Sequence, residues 1–320
     1  MNLSRAPGKL VLSGAHAVLR GAPALVAAVD RFAYAGAQLP LPLVTPELQA
    51  ALEELEAEGA APREVPGFNA QELREAQGAA GRKLGLGSSA AILLACLHQL
   101  LTRTDKAPEG PSLRRELFER ALRAHRKAQG GGSGIDVAAS TYGGVLSFQL
   151  DPEGRPAVEP ISLPTSLRLE AWSMPESAST SRFLRVIADY EARGDGPTQR
   201  ALAAQFSCSV SADQAVRSGD GRALVRALRG QCAALEELGR ATGLPIVLPA
   251  HAALLAELPS EAAFLPSGAG GGDVSLYVGP EPPLRAWQER AQAVGVLKVE
   301  LHFGAPGVEF CNQPSSGTLS

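Results

Sequence analysis

No excess of positive charge marks this chain. Its 30 Lys and Arg stand against 33 Asp and Glu, a formal net charge of -3, and no run concentrates the basic residues. A nucleic-acid footprint needs that excess, so the composition argues against such a partner. An anionic substrate would have to be held by a few placed cations. Cysteine is also sparse: Cys96, Cys208, Cys232 and Cys311 are scattered without a CxxC, which suits reduced thiols in a cytosolic protein. The five histidines are dispersed too, so no zinc-ligand spacing is present. The first residues lack the basic-then-apolar pattern of a secretory signal, and no span of about 18 apolar residues is free of charge and proline. These absences lead to the expectation of a cytoplasmic protein with neither membrane nor nucleic-acid partners. No internal repeat is visible.

What is there fits two domains of ordinary size. The 320 residues are 45% hydrophobic and 20% charged, close to a soluble globular average. Strand material opens the chain at Leu10-Val11-Leu12 and Ala24 to Val29, punctuated by Gly8, Gly14 and Gly21. Apolar spacing predicts a surface helix over Leu48 to Glu58 and a buried one over Ser89 to Leu101. A charged helix follows over Ser112 to Lys127, then a glycine loop, a short helix and the strand Gly144 to Leu150. The proline-bearing stretch Asp151 to Pro164 reads as a domain junction, giving domains 1–155 and 156–320. Beyond it, strands at Leu167 to Ser173, Val274 to Val278 and Val296 to Phe303 alternate with helices at Arg182 to Arg193, Gly221 to Thr242 and Pro283 to Val294. That mixed order points to an α+β fold rather than a doubly wound sheet. The tail Pro314 to Ser320 reads as unpacked.

Four elements carry candidate chemistry. In Leu84-Gly85-Leu86-Gly87-Ser88-Ser89-Ala90-Ala91 the glycines permit close backbone approach, and the free N–H groups of the following helix form an anion site. Ser88 and Ser89 can cap the helix, bind a phosphate oxygen or ligate Mg²⁺. The same residues match the dinucleotide pattern G-x-G-x-x-A, with Asp105 about 20 residues on, but no strand leads into the loop and Asp105 follows a helix. No Walker A sequence is present. A second loop, Ser267-Gly268-Ala269-Gly270-Gly271-Gly272-Asp273, spends more glycine than a turn requires. Lys9, in Pro7-Gly8-Lys9, is either a snorkelling strand residue or a cation aimed at a ligand. Asp136, behind Gly130-Gly131-Gly132-Ser133-Gly134, either complements a helix dipole or is a carboxylate held at a reaction centre.

Together, in this order, these elements resemble the GHMP kinases over most of the chain. The first family motif is matched by Pro7-Gly8-Lys9, the ATP loop by Gly85 to Ala91 and the third motif by Ser267 to Asp273. Within the superfamily the chain is most similar to the phosphomevalonate kinases, through Lys83 to Ala91, Ala128-Gln129-Gly130, Ser133 to Ala139, Ser177 to Ser181 and Gly243-Leu244-Pro245-Ile246. His16-Ala17-Val18 and Ser140 to Gly144 are similar to the mevalonate kinases instead. Two positions depart from the family. Ala15 stands where a glutamate is usual, and His125 stands near the place of the magnesium-binding glutamate of mevalonate kinases, where an imidazole suits a hard cation poorly.

The resemblance implies a GHMP kinase fold of the α+β class: an N-terminal domain like ribosomal protein S5 domain 2, then a ferredoxin-like domain. It implies ATP and Mg²⁺ as cofactors and phosphorylation of phosphomevalonate to diphosphomevalonate. Mevalonate kinase, another GHMP small-molecule kinase and a non-catalytic GHMP-like binding protein are the alternatives, and retention of Lys9 and Asp136 favours an enzyme. Lys9 and Asp136 would be catalytic, and Gly85, Leu86, Gly87, Ser88, Ser89 and Ala90 would hold the nucleotide, with Ser89 on the metal. His16, Lys83, Ser133, Gly134, Thr180, Arg182, Gly268, Ala269 and Gly270 would face a small acidic substrate. A monomer or homodimer is expected.

Overall fold

The computed structural model describes residues 3–60, 62, 64–74, 84–102, 110–176 and 180–312, leaving aside the side chains of residues 180 and 181. The described residues fall into two compact units, one within Met1–Leu10, Ala27–Gly144 and His302–Ser320, the other within Val11–Val26 and Val145–Leu301. The units are therefore not two consecutive stretches. The long strands β1 (Leu3–Ser13) and β2 (Ala24–Gly36) run through both, and both are buried along nearly their whole length.

These strands are the interior of a six-stranded sheet. With β3 (Gly67–Asn69), β4 (Val145–Leu150), β5 (Pro156–Ile161) and β10 (Glu309–Cys311) the order is β10-β1-β2-β4-β5, and β3 pairs with β2. The pairings β1–β10, β2–β3 and β4–β5 are antiparallel. The stretch read as a domain junction is thus a hairpin: Asp151 Oδ1 accepts from the N–H groups of Glu153 and Arg155 at the turn, and Pro156 and Pro160 lie in the edge strand β5. An edge strand tolerates proline because one row of its N–H groups has no partner to lose.

In the first unit, α1 (Pro46–Ala57), α2 (Ser88–Leu101), α3 (Gly110–Gln129) and α4 (Ile135–Tyr142) accompany the sheet. The α2 helix is buried from Ala90 to Leu100, as its unbroken apolar sequence requires. Ion pairs join α1 to α3 along their exposed sides: Lys127 with Glu53 at 2.8 Å, Arg120 with Glu58 at 2.9 Å, and Arg123 with Glu54.

The second unit adds the sheet β7-β8-β6-β9, from β6 (Arg168–Ser173), β7 (Ala263–Pro266), β8 (Val274–Gly279) and β9 (Leu297–Val299), all antiparallel. Its helices are α5 (Thr180–Ala192), α6 (Gly196–Arg217), α7 (Gly221–Thr242), α8 (Pro249–Ala256) and α9 (Arg285–Ala293). Asp195 and Asp220 cap α6 and α7 by accepting from Thr198 and Ala223 N–H. Trp172 and Phe264 meet Trp287 edge-on, with ring centroids 5.1 and 5.3 Å apart, at the centre of one core cluster. The strand read over Val296 to Phe303 is shorter than expected, because His302 and Phe303 leave it to bond Asp30 and Val29 in the first unit.

Candidate active site

In the first unit β1 delivers Lys9 to the glycine loop. The Lys9 backbone N–H donates to the Leu86 carbonyl at 2.9 Å, and Nζ reaches the Gly85 carbonyl at 3.5 Å. A side chain at Gly8 would set a Cβ 2.9 Å from the Leu86 oxygen, so only glycine lets strand and loop approach this closely. Gly87 is the N-cap of α2, left-handed at φ 74°, with no side chain capping the helix. The hydroxyls of Ser88 and Ser89 are therefore not spent on the cap, and the first-turn N–H groups keep their capacity for an anion.

Asp136 comes from α4, whose N-cap Gly134 is again left-handed at φ 85° and again without a side-chain cap. A Cβ at Gly134 would press on the tip of the Leu122 side chain, and the left-handed φ is what favours glycine there. Arg126, near the end of α3, donates to the carbonyls of Gly132 and Ser133 at 3.2 Å each, and Ser133 Oγ accepts from Ile135 N–H at 3.3 Å. Further along α4, the buried Ser140 hydroxyl donates to the Pro7 carbonyl at 2.7 Å. That bond ties α4 to β1 two residues from Lys9. Lys9 and Asp136 consequently converge: a Cβ on Gly87 would lie 3.0 Å from Lys9 Cε and 3.5 Å from Asp136 Cβ. The expected cation and carboxylate flank the point where the phosphate-type helix begins.

The surroundings of Asp136 hold His125, already singled out in the sequence, and other groups that the sequence did not announce. His125 on α3 is buried, and its Nε2 lies 3.6 Å from Asp136 Oδ2. One turn later the Gln129 amide nitrogen stands 3.0 Å from His125 Nε2, 3.2 Å from Glu47 Oε1 and 3.5 Å from Ser89 Oγ. Glu47 sits in the first turn of α1, only 7% exposed. Nothing in its spacing, 82 residues from Gln129, could have drawn it to the glycine loop. Arg126 went unnoticed for another reason: it holds backbone carbonyls, which leaves no residue pattern.

In the second unit the loop from Ser267 to Asp273 is anchored on several sides. Ser267 Oγ donates to the Val11 carbonyl at 3.0 Å and Gly271 N–H to that of Ile246 at 2.8 Å. Gly270, at φ 82°, leaves no room for a Cβ, which would sit 2.5 Å from the Ile246 oxygen, whereas Gly268, at φ 79°, faces open space. His16 is fully buried, and its Nε2–H donates to the Ala269 carbonyl at 3.1 Å. Burial pushes its pKa down to about 4, so the ring is neutral near pH 7. It braces the loop from beneath rather than presenting a side chain. Arg182 is exposed on α5. Lys83 and the side chain of Thr180 lie outside the described residues.

Residues 47–144 match the GHMP kinases N terminal domain. The phosphomevalonate kinase of Streptomyces sp. (strain CL190) is 33% identical over 259 residues, which make up 71% of this chain and 66% of that protein's length. Among solved structures, the Lin0012 protein from Listeria innocua superposes with a TM-score of 0.78 at 20% identity, covering 98% of this chain and 100% of that one. Streptococcus pneumoniae phosphomevalonate kinase, in complex with phosphomevalonate and AMPPNP, gives 0.76 at 19% identity, covering 95% and 100%. At such identities a superposition speaks for the fold alone.

Proposed function

We propose that this chain, which belongs to the GHMP kinase superfamily and has its fold, transfers the terminal phosphoryl group of ATP to phosphomevalonate, acting in the cytoplasm on this small acidic metabolite. An oxygen of the acceptor's phosphate attacks the γ-phosphorus while the bond from that phosphorus to the β–γ bridging oxygen breaks. ADP leaves with the electron pair, and diphosphomevalonate forms. The observation that carries this reading is the convergence of Lys9 and Asp136 on Gly87, at the uncapped start of α2.

Phosphoryl transfer is chiefly positioning and charge neutralisation. The loop from Gly85 to Ala90 would cradle the nucleotide phosphates through backbone N–H groups. Lys9 would neutralise charge at the transferring group. A phosphomonoester has a second pKa of about 6, so the acceptor is already an oxyanion at neutral pH and Asp136 orients rather than deprotonates. The harder problem is bringing two polyanions together, since each charge pair at ~4 Å costs roughly 4 kcal/mol at an effective dielectric near 20. By resemblance to the family, Lys83 and Arg182 are the candidate offsetting cations, and Ser133, Gly134, Thr180, Gly268, Ala269 and Gly270 are the candidate acceptor-binding residues, with His16 bracing the last of these through the Ala269 carbonyl.

Magnesium fits this site: the Ser89 hydroxyl is a hard oxygen donor not used in capping, and a carboxylate lies across the Gln129 amide from it. When bound, the ion would neutralise charge on the nucleotide phosphates. The test is ³¹P NMR of a mixture of protein, ATP, Mg²⁺ and phosphomevalonate. New coupled diphosphate resonances should grow with those of ADP. ADP accumulating with inorganic phosphate alone would contradict the assignment.

A further inference from the structure

Along the α1–α3 contact, Glu53, Glu54 and Glu58 each meet a lysine or arginine of α3. Glu47 breaks the pattern. It is the most buried of these acids at 7% exposure, yet it has no ion pair among the described residues and bonds the neutral Gln129 amide at 3.2 Å. A buried carboxylate without a cation is costly, and a folded protein keeps one where a cation arrives from outside.

The geometry around Gln129 shows where it would arrive. Glu47, as an acceptor-only group, requires the amide to turn its NH₂ inward. That nitrogen carries two hydrogens and faces two acceptor oxygens, Glu47 Oε1 and Ser89 Oγ at 3.5 Å, beside the His125 ring nitrogen Nε2 at 3.0 Å. A carboxylate oxygen and a hydroxyl oxygen gathered on one electropositive group form the surroundings of a hard cation. Gln129 is an exposed residue at the last position of α3, so its side chain is free to withdraw.

We infer that the Glu47 carboxylate and the Ser89 hydroxyl together hold the divalent cation, which takes the position of the Gln129 amide group. The class of ion is hard and oxygen-seeking, Mg²⁺ or Mn²⁺, completed by water and nucleotide oxygens. His125, a nitrogen donor turned toward Asp136, is not a ligand. The nucleotide part of this assignment rests on the kinase reading; the protein part does not.

Two titrations of the full chain test it. The first adds Mn²⁺ alone and follows loss of the free-ion EPR signal. The second measures AMPPNP binding by calorimetry with and without Mg²⁺. Wild type should hold one Mn²⁺, and Glu47→Gln should weaken it about 10- to 100-fold, the loss usual when a metal site is stripped of a supporting group. The same variant should lose the Mg²⁺-dependent gain in AMPPNP affinity while keeping metal-free binding. Gln129→Ala should bind Mn²⁺ as well as wild type or more tightly, because it removes the competing amide. Unchanged Mn²⁺ affinity in a folded Glu47→Gln overturns the inference. So does a tenfold loss in Gln129→Ala, or a wild type that holds no Mn²⁺. A wild type that binds Mn²⁺ through Glu47 but never binds AMPPNP supports this site and defeats the kinase reading instead.

Discussion

Asp136 is held from three directions. Its Oδ1 accepts from Val137 N–H at 3.2 Å, its Oδ2 faces His125 at 3.6 Å, and the helix beneath it is tied to β1 by the Ser140–Pro7 bond. A carboxylate so fixed suits either orientation of an anionic acceptor or abstraction of a proton from an alcohol, and pH separates the two. With an alcohol acceptor, Asp136→Asn removes a general base and costs about 10²–10⁴ in rate, the loss easing as pH rises. With a phosphate acceptor the acidic limb of the rate profile belongs to the substrate, near ~6, and persists in the variant. We expect the second outcome: a lower rate in Asp136→Asn with the acidic limb intact. Disappearance of that limb, with faster turnover of mevalonate than of phosphomevalonate, would move the assignment to mevalonate kinase.

Elements differ in how much of themselves they reveal in sequence. The loops at Gly85–Gly87 and Gly130–Gly134 were legible because their glycines answer to local demands, left-handed φ at Gly87 and Gly134, and Gly8 on β1 because a Cβ there would meet the Leu86 carbonyl. The buried helix α2 and the long α7 were legible from apolar spacing. By contrast α6 (Gly196–Arg217) escaped, since alanine, serine and glutamine dilute its apolar stripe and buried Thr198, Gln205 and Ser209 interrupt it. The β5 strand escaped because its prolines read as a linker until β4 is there to pair with it. Glu47 escaped because α1 and the end of α3 become neighbours only in the fold. The glycine loop offers its own test. Gly87→Val forces a branched residue into the left-handed region, a cost of about 1–2 kcal/mol before any crowding of Lys9. It should reduce kcat/KM for ATP by at least the ~10-fold that such an energy represents, and Ser89→Ala should impair nucleotide use as well. Steady-state kinetics with ATP unchanged in both variants would reduce the loop to a helix start with no ligand.

At the scale of the whole molecule, three buried histidines tie stability to pH. His16, His98 and His251 are each pushed down to about 4 by burial, and their described hydrogen bonds go to Ala269, to Ser4, and to Ser275, Phe264 and Cys232. Each is neutral in the folded chain above about pH 4, whereas in the unfolded chain it takes a proton below pH 6.5. The stability they contribute is therefore complete above about 6.5 and declines as pH falls toward 4, at a limiting slope of about 1.4 kcal/mol per pH unit for each. Asp151 and Asp195 are held below the usual carboxylate range by hydrogen bonds, chiefly from Arg155 and Thr198, so their loss comes at lower pH. Thermal unfolding followed by circular dichroism should show Tm falling steadily from pH 6.5 to 4.5. A flat Tm over that window would mean that these rings are not buried neutral.

The central claim is that this GHMP kinase acts on phosphomevalonate, and comparing acceptors side by side addresses it most directly. ADP release is measured with ATP and Mg²⁺ against phosphomevalonate, mevalonate, homoserine and galactose at equal concentration. The account predicts the highest kcat/KM on phosphomevalonate, with mevalonate well below it. Preference for mevalonate, homoserine or galactose would contradict the substrate assignment, and no ADP release above background with any of the four would contradict the kinase assignment itself.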